Sequence, residues 1–495
     1  MKPSSRHAAE RQLVEEIEAR SEAFENLQVL ADDIGTRQPG TANEVRARDF
    51  LCDTLKRYGL HQVRAEPFQH RAWTPVREEL TVCAPVDRTI QCRCAVLSPS
   101  TPPDGQVGEA VILERGDPAD FEQHREQIRG RFVVSLYDST YVDGVAHSIP
   151  RQMKTELAAR YGALGFIGWH HSPGQHLPAG TCAFGRVGGV PVASITYEDG
   201  AWLQRVARRR GALRFRLLLN SRIERKDSWN VVGEVTARGE GAEATGNEHL
   251  VIGAHYDCHH LASGAIDNAA GVATVLEAAR GLSTVASHLR RDVKIVLFGV
   301  EEPGLVGSMA YVHRHERELG DLVLMINNDC LGGRPSGIEI QGRDELRGTM
   351  EQVAESVRIG GEPPPPFRVT TAHPGWWGLD STPFGFKGVP TVHLTSTEAK
   401  KGDFASYHLD TDHIDKVCIP GLTEAAAVNA RIALHVANLT ERPAARIDRS
   451  HVEEILHRYD REPPFYTIIS LRESLELLDL WPIDHAIERY FSRED

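Results

Sequence analysis

Leu250-Val251-Ile252-Gly253-Ala254-His255-Tyr256-Asp257 and, shortly after it, Gly264-Ala265-Ile266-Asp267-Asn268-Ala269-Ala270-Gly271 decide how this chain is read. The first begins as a short apolar run, the pattern of a strand buried on both faces of a parallel or mixed sheet. It ends in an imidazole and a carboxylate two residues apart, which share one face of an extended chain. The second leads into a helix-like stretch at about 269–282. Strand–loop–helix alternation of this kind is α/β layering. In open α/β sheets, sites form at the carboxyl ends of the strands.

The same pattern repeats downstream. Val293–Gly299, Leu322–Asn327 and Val389–Leu394 are further apolar runs, with helix-like stretches at about 303–319, 344–358 and 420–440. Glu301-Glu302 follows the first run, and Asp329 follows the second. Adjacent carboxylates after a buried strand repel one another unless a cation is present. One then suits a metal ligand and the other a general base. Asp267 has two oxygens with which to bridge two cations. In the loop Tyr407-His408-Leu409-Asp410-Thr411-Asp412, His408 offers a second imidazole, Asp412 an outer partner for it, and Tyr407 a hydroxyl for an oxyanion. Asp257 is placed to orient His255.

Each element alone has an ordinary structural reading: a satisfied core His255, a helix cap at Asp267 or Asn268, a surface glutamate pair, a turn cap at Asp329, a solvated His408. Together they supply two imidazoles and three or four carboxylates in an order that fits one pocket. Nitrogen and oxygen donors without thiolates suit two zinc ions or another borderline divalent metal.

The rest of the chain bounds this reading. Its 495 residues carry 56 Lys+Arg against 69 Asp+Glu, a net charge of −13, which argues against a general nucleic-acid binder. No apolar run approaches the ~20 residues needed to cross a bilayer. The amino-terminal segment is charged throughout, unlike a secretory signal. The eight cysteines are scattered, and Cys92 and Cys94 form neither a zinc ribbon nor a redox pair. These features predict reduced thiols and a cytoplasmic protein.

Apolar positions at helical spacing predict helices over 8–34 and about 42–59, on either side of a Gly35–Thr41 loop. From about 76 the texture turns to short β-like runs: Ala110–Leu113, Phe132–Leu136, Phe166–Trp169 and Pro191–Ile195. The Arg205–Arg216 run lacks interleaved aromatics and reads as a solvated helix face followed by a strand. The expected organisation is a discontinuous α/β domain over 1–75 and 227–445, an insertion over 76–226, and a helical extension over 446–495.

At His255-Tyr256-Asp257, Gly264–Gly271, Phe298–Val312, Asn328-Asp329, Asp380–Thr391 and Tyr407–Asp412, the chain resembles the co-catalytic zinc exopeptidases. That family includes aminopeptidase S, aminopeptidase Y and the glutamate carboxypeptidases. The likeness extends upstream to Gly35–Thr41. The insertion resembles a protease-associated domain at Gly130–Leu136, Gly162–Trp169 and Val190–Gly200.

The resemblance implies a three-layer αβα fold with a mixed, mostly parallel sheet and a β-rich insertion. It implies that His255 and Asp329 hold one zinc, Glu302 and His408 the other, and that Asp267 bridges them. Glu301 then serves as general base to a zinc-bridged hydroxide, with Tyr407 supporting the oxyanion. Cobalt or manganese are substitutes. A cis peptide is implied at Asp267-Asn268.

Departures from the family pattern are Cys258, Cys330, the added His259 and His260, expected at the rim, and the missing imidazole in Leu379-Asp380-Ser381. The expected activity is that of an aminopeptidase on a peptide or aminoacyl amide, with no nucleic-acid or membrane partner and with a homo-oligomer left open. A carboxypeptidase or specialised amidohydrolase is the alternative and would need a cationic clamp, for which Arg334, Arg343 and Lys387 are candidates. A binding protein on the same fold and a single-zinc cyclase rank below it.

Overall fold

A computed structural model describes residues 3–459, apart from 139–140, 143–144, 147–148, 184, 362–363, 365, 373–378 and 398–405. Its central sheet runs in the order Arg368–Ala372, Pro335–Gln341, Thr391–Ser396, Leu322–Asn328, His249–His255, Asp292–Phe298 and Arg214–Val235. Pairing is parallel from Thr391–Ser396 through Asp292–Phe298 and antiparallel at Arg214–Val235. The sheet is therefore mixed, with a parallel centre that brings several carboxyl ends to one edge.

Alternation within the strands explains why they read as continuous apolar runs. Leu250, Ile252, Ala254, Val293, Ile295 and Leu297 face one core, shared with helices Ala42–Arg57, Ala270–Thr284 and Ile419–Ala437. Val251, Val296 and Phe298 face the opposite core, with Tyr311 and Val312 of helix Val306–Arg314 and with Phe384. Helices on both faces of one sheet make the three layers.

The strands His61–Ala84 and Arg214–Val235 form a long antiparallel ribbon. They run unbroken through positions 76 and 226, where the composition changes. The far end of the ribbon pairs with Gln106–Ile112, which continues into parallel Phe132–Leu136, Gly165–Trp169 and Val192–Ile195. This segment has a core of its own, including Leu80, Phe132, Phe166, Leu203 and Phe215.

One expectation is corrected near the amino-terminal end of the described chain. The helix expected over 8–34 is broken: Pro3–Arg20 is followed by a new start at Ala23. The break is held by Glu22, whose main-chain N–H donates to Glu277 Oε2 at 3.0 Å. Near the carboxyl end, helix Arg449–Tyr459 packs Val452 and Leu456 against Phe386. The rest of the expected extension, 460–495, lies outside the described residues.

Candidate metal centre

Five chain segments meet at the carboxyl edge of the parallel strands. His255 closes its strand, and its Nε2 lies 3.2 Å from Asp267 Oδ1 and 3.3 Å from Asp329 Oδ1. His408 Nε2 lies 3.3 Å from the other Asp267 oxygen, Oδ2, and 3.5 Å from Glu302 Oε2. One carboxylate therefore turns one oxygen to each imidazole. The donors form two groups able to hold a cation, His255–Asp267–Asp329 and His259–Glu302–His408. The peptide Asp267-Asn268 is cis, as expected.

Asp257 ties two loops together. Its carboxylate accepts from the main-chain N–H of Glu301 at 3.0 Å and of Glu302 at 3.2 Å. Its own contact with His255 is looser, 3.5 Å from Oδ1 to Nδ1. Asp257 thus holds the Glu301-Glu302 turn more firmly than it holds the imidazole.

Asp412 corrects a prediction. Its carboxylate accepts from the main-chain N–H of Ile266 at 2.7 Å and of Asp267 at 3.1 Å. It steadies Asp267, and His408 Nδ1 has no hydrogen-bond partner among the described residues. The chain at His408 turns through a left-handed conformation (φ 55°).

Arg37, fully buried, donates to the carbonyls of Tyr256, Ser263 and Gly264 at 2.7, 2.5 and 2.9 Å. It braces both ends of the loop that leads from His255 to Asp267. Gly264 sits at φ 58°, and a Cβ there would come within 2.3 Å of the Cys258 Cβ. Cys258 accepts from the Arg37 main-chain N–H, and burial pushes its thiol up to about 11, so it is a packed, inert residue. Burial also raises the Cys330 thiol.

The charge balance explains what the cluster is for. Asp257, Asp267, Glu301, Glu302 and Asp329 are each 9 % exposed or less. Burial, then repulsion from Asp380, Glu302 and Asp329 against the pull of His255, raises the Glu301 carboxyl well above its ordinary value. Burial and the charge of Asp267 do the same to Glu302. Burial opposes ionisation of Asp267, but bonds to His255 and His408 hold it well below the usual carboxylate range. Burial opposes protonation of His255, yet Asp329 and Glu301 raise it well above an ordinary imidazole. Burial lowers His408. Five buried carboxylates around so few imidazoles call for cationic compensation.

His259 was expected at the rim, and the structure places it inside the cluster. It is 7 % exposed, and its Nε2 lies 2.6 Å from Glu302 Oε2. Its ring stands edge-on to that of His408, with centroids 4.4 Å apart. Its strand ends at His255, so strand spacing gave no signal for His259.

Tyr407 stacks on His408 at 3.7 Å between ring centroids, and burial, then the charge of Asp267, raises its phenol. The insertion touches both flanking loops. Ala179 N–H donates to His408 O at 2.7 Å, and Gly185 N–H to Pro303 O at 2.6 Å. A cleft beside Glu302 and His259 is walled by Arg71, Trp73, Val96 and His260. The three clamp candidates are engaged elsewhere: Arg334 pairs with Glu424, Arg343 with Glu345 at 2.6 Å, and Lys387 with Glu316 at 2.7 Å.

Residues 230–433, which carry His255, His259, Asp267, Glu302, Asp329 and His408, match the model of Peptidase family M28. The segment that holds this site is similar to peptidase family M28. Carboxypeptidase Q of Bos taurus is 27% identical over 433 residues, covering 86% of this chain and 87% of that protein. Aminopeptidase YwaD of Bacillus subtilis (strain 168) is 25% identical over 406 residues, covering 81% and 82%. Among solved structures, the Peptidase M28 precursor from Shewanella amazonensis SB2B superposes with a TM-score of 0.74 at 22% identity, covering 89% of this chain and 98% of that one. BSAP, a zinc aminopeptidase from Bacillus subtilis, gives 0.62 at 20% identity, covering 86% and 97%. The M28 fold therefore extends beyond the matched segment. Among the described residues no helix is long and apolar enough to cross a membrane.

Proposed function

We propose that the protein is a two-zinc exopeptidase that removes the amino-terminal residue of short peptides or cleaves an aminoacyl amide. The observation that carries this reading is Asp267, whose two oxygens each face a different imidazole at 3.2 and 3.3 Å. His255 and Asp329 would hold one ion, Glu302 and His408 the other, and Asp267 both. The donors fit, since imidazole and carboxylate without thiolate suit zinc, with cobalt or manganese as substitutes. Two bound ions would acidify a water and polarise the scissile carbonyl.

The chain's own groups do the rest. Glu301, buried and outside both ligand groups, takes a proton and returns it to the leaving amine. The Tyr407 hydroxyl supports the developing oxyanion. Asp257 holds Glu301 and Glu302 in register through their main-chain N–H groups. The acidic surround favours a free α-amine on the substrate.

The insertion, read as a protease-associated domain, closes one wall of the cleft through Val96. A reducing, cytoplasmic setting is supported by the eight cysteines, all of them unpaired.

A second reading has its own support. Arg71 lines the same cleft and could meet a substrate carboxylate, as a carboxypeptidase requires. Digestion of one peptide in free, amino-acetylated and carboxy-amidated forms separates the two. Acetylation alone should block trimming. Block by amidation alone transfers the assignment to the carboxypeptidase, and cleavage of both blocked forms defeats both readings.

A further inference from the structure

Resting on the two-metal reading, we infer that His259 is a protein ligand of the ion held by Glu302 and His408, so that the two metal positions are unequal. His259 lies on the loop beyond strand His249–His255, in a stretch where the family pattern supplies no ligand. Its Nε2 is 2.6 Å from Glu302 Oε2, yet it has no hydrogen-bond partner among the described residues. A close approach off the hydrogen-bond line is what two donors aimed at one point produce. The side chain is buried.

The dimensions suit a cation. With metal–donor distances of about 2.0–2.2 Å, two donors on a tetrahedral ion stand about 3.3–3.6 Å apart. His408 Nε2 meets Asp267 Oδ2 at 3.3 Å and Glu302 Oε2 at 3.5 Å. The 2.6 Å edge from His259 to Glu302 opens by less than about 1 Å to reach the same spacing. The three side chains already offer donors within 4.8 Å of one another.

Counting donors gives the consequence. His255, Asp267 and Asp329 supply three at one position and leave it open. His259, His408, Glu302 and the second Asp267 oxygen supply four at the other, a complete tetrahedral set. Closed sites hold metal for structure, and open ones admit water and substrate. The open position is then the one facing the reacting group. The closed one, with two imidazoles, favours zinc, cobalt or nickel over manganese and magnesium.

The test is zinc binding by graded chelator competition on the full chain, with ¹¹³Cd magnetic resonance of the cadmium-loaded protein. Wild type, His259→Ala, His259→Gln and His408→Ala are compared, and circular dichroism of the metal-free proteins reports folding. Wild type should bind two zinc ions with clearly separated affinities. His259→Ala should weaken the tighter one at least tenfold and move one cadmium resonance, leaving the other in place. His259→Gln should recover part of the loss by offering an amide oxygen. His408→Ala should act on the same resonance. Two ions bound with affinities and resonances unmoved by His259→Ala would overturn the inference and leave the two-metal reading standing. Fewer than two ions in wild type would defeat the two-metal reading itself, and the inference with it.

Discussion

Replacing Asp412 with Asn should loosen both metal positions together. The carboxylate accepts two main-chain N–H groups, from Ile266 at 2.7 Å and Asp267 at 3.1 Å. An amide has the same shape but one acceptor oxygen, so one N–H loses its partner and faces an NH₂ group. A hydrogen bond to a charged acceptor contributes about 1.5–3 kcal/mol, and a buried unpaired donor costs about 1–3 kcal/mol. These overlap, so the disturbance is about 2–3 kcal/mol, felt at the residue proposed to bridge both ions. Loss of groups that orient metal ligands commonly weakens binding roughly 10–100-fold. Chelator competition on Asp412→Asn should therefore show both zinc affinities falling by roughly that factor. Unchanged affinities would refute the reasoning. A loss confined to the ion held by His408 would restore Asp412 as the imidazole's partner.

Glu301→Gln should abolish turnover while two zinc ions remain bound; residual activity near wild type would remove Glu301 as the base. Gly307→Ala should cost about 1–3 kcal/mol in denaturant melts, because a Cβ there would meet the Gly299 carbonyl oxygen at 2.0 Å and press on the turn that carries Glu301; an unchanged midpoint would contradict the packing. His315, 2.9 Å from Glu66 and 3.0 Å from Glu318, sets a pH window for the metal-free protein. Burial opposes its protonation, but those bonds raise it above the ordinary imidazole value, while burial opposes and Lys294 and His315 carry the lowering of Glu318 to about 2. The imidazole's contribution is present below about pH 6.5 and fades above it, and the carboxylates' is present above about pH 4.3 and fades below it. Urea midpoints should show wild type exceeding His315→Gln by more at pH 5.5 than at pH 9, and an equal difference at both would exclude the pairing.

Much of the sheet was legible because its parallel strands are covered on both faces, so Leu250–Ala254 and Leu322–Asn327 carry almost no polar residue. Acids at the ends of such runs have no packing reason to be there, which marked Glu301, Glu302 and Asp329. What stayed hidden depends on the path of the backbone outside regular elements. Asp412 follows His408 by four residues, yet its carboxylate accepts from the main-chain N–H groups of Ile266 and Asp267. His259 lies past the end of its strand, where spacing no longer fixes direction. Arg37 sits in a segment marked as a loop by composition, and its bracing of Tyr256, Ser263 and Gly264 is a contact more than 200 residues away in sequence. The ribbon strand His61–Ala84 holds Pro67 and Pro75, which argue against a strand by local pattern. It persists through its long pairing with Arg214–Val235, with a bulge between Pro75 and Arg77.

The central claim is that Asp267 bridges two ions. An anomalous-difference map from zinc-loaded crystals tests it most directly. The account predicts two peaks about 3.5–4 Å apart, one beside His255 and Asp329, the other beside Glu302 and His408, with Asp267 between them. A single peak, or two peaks that do not share Asp267, would contradict it.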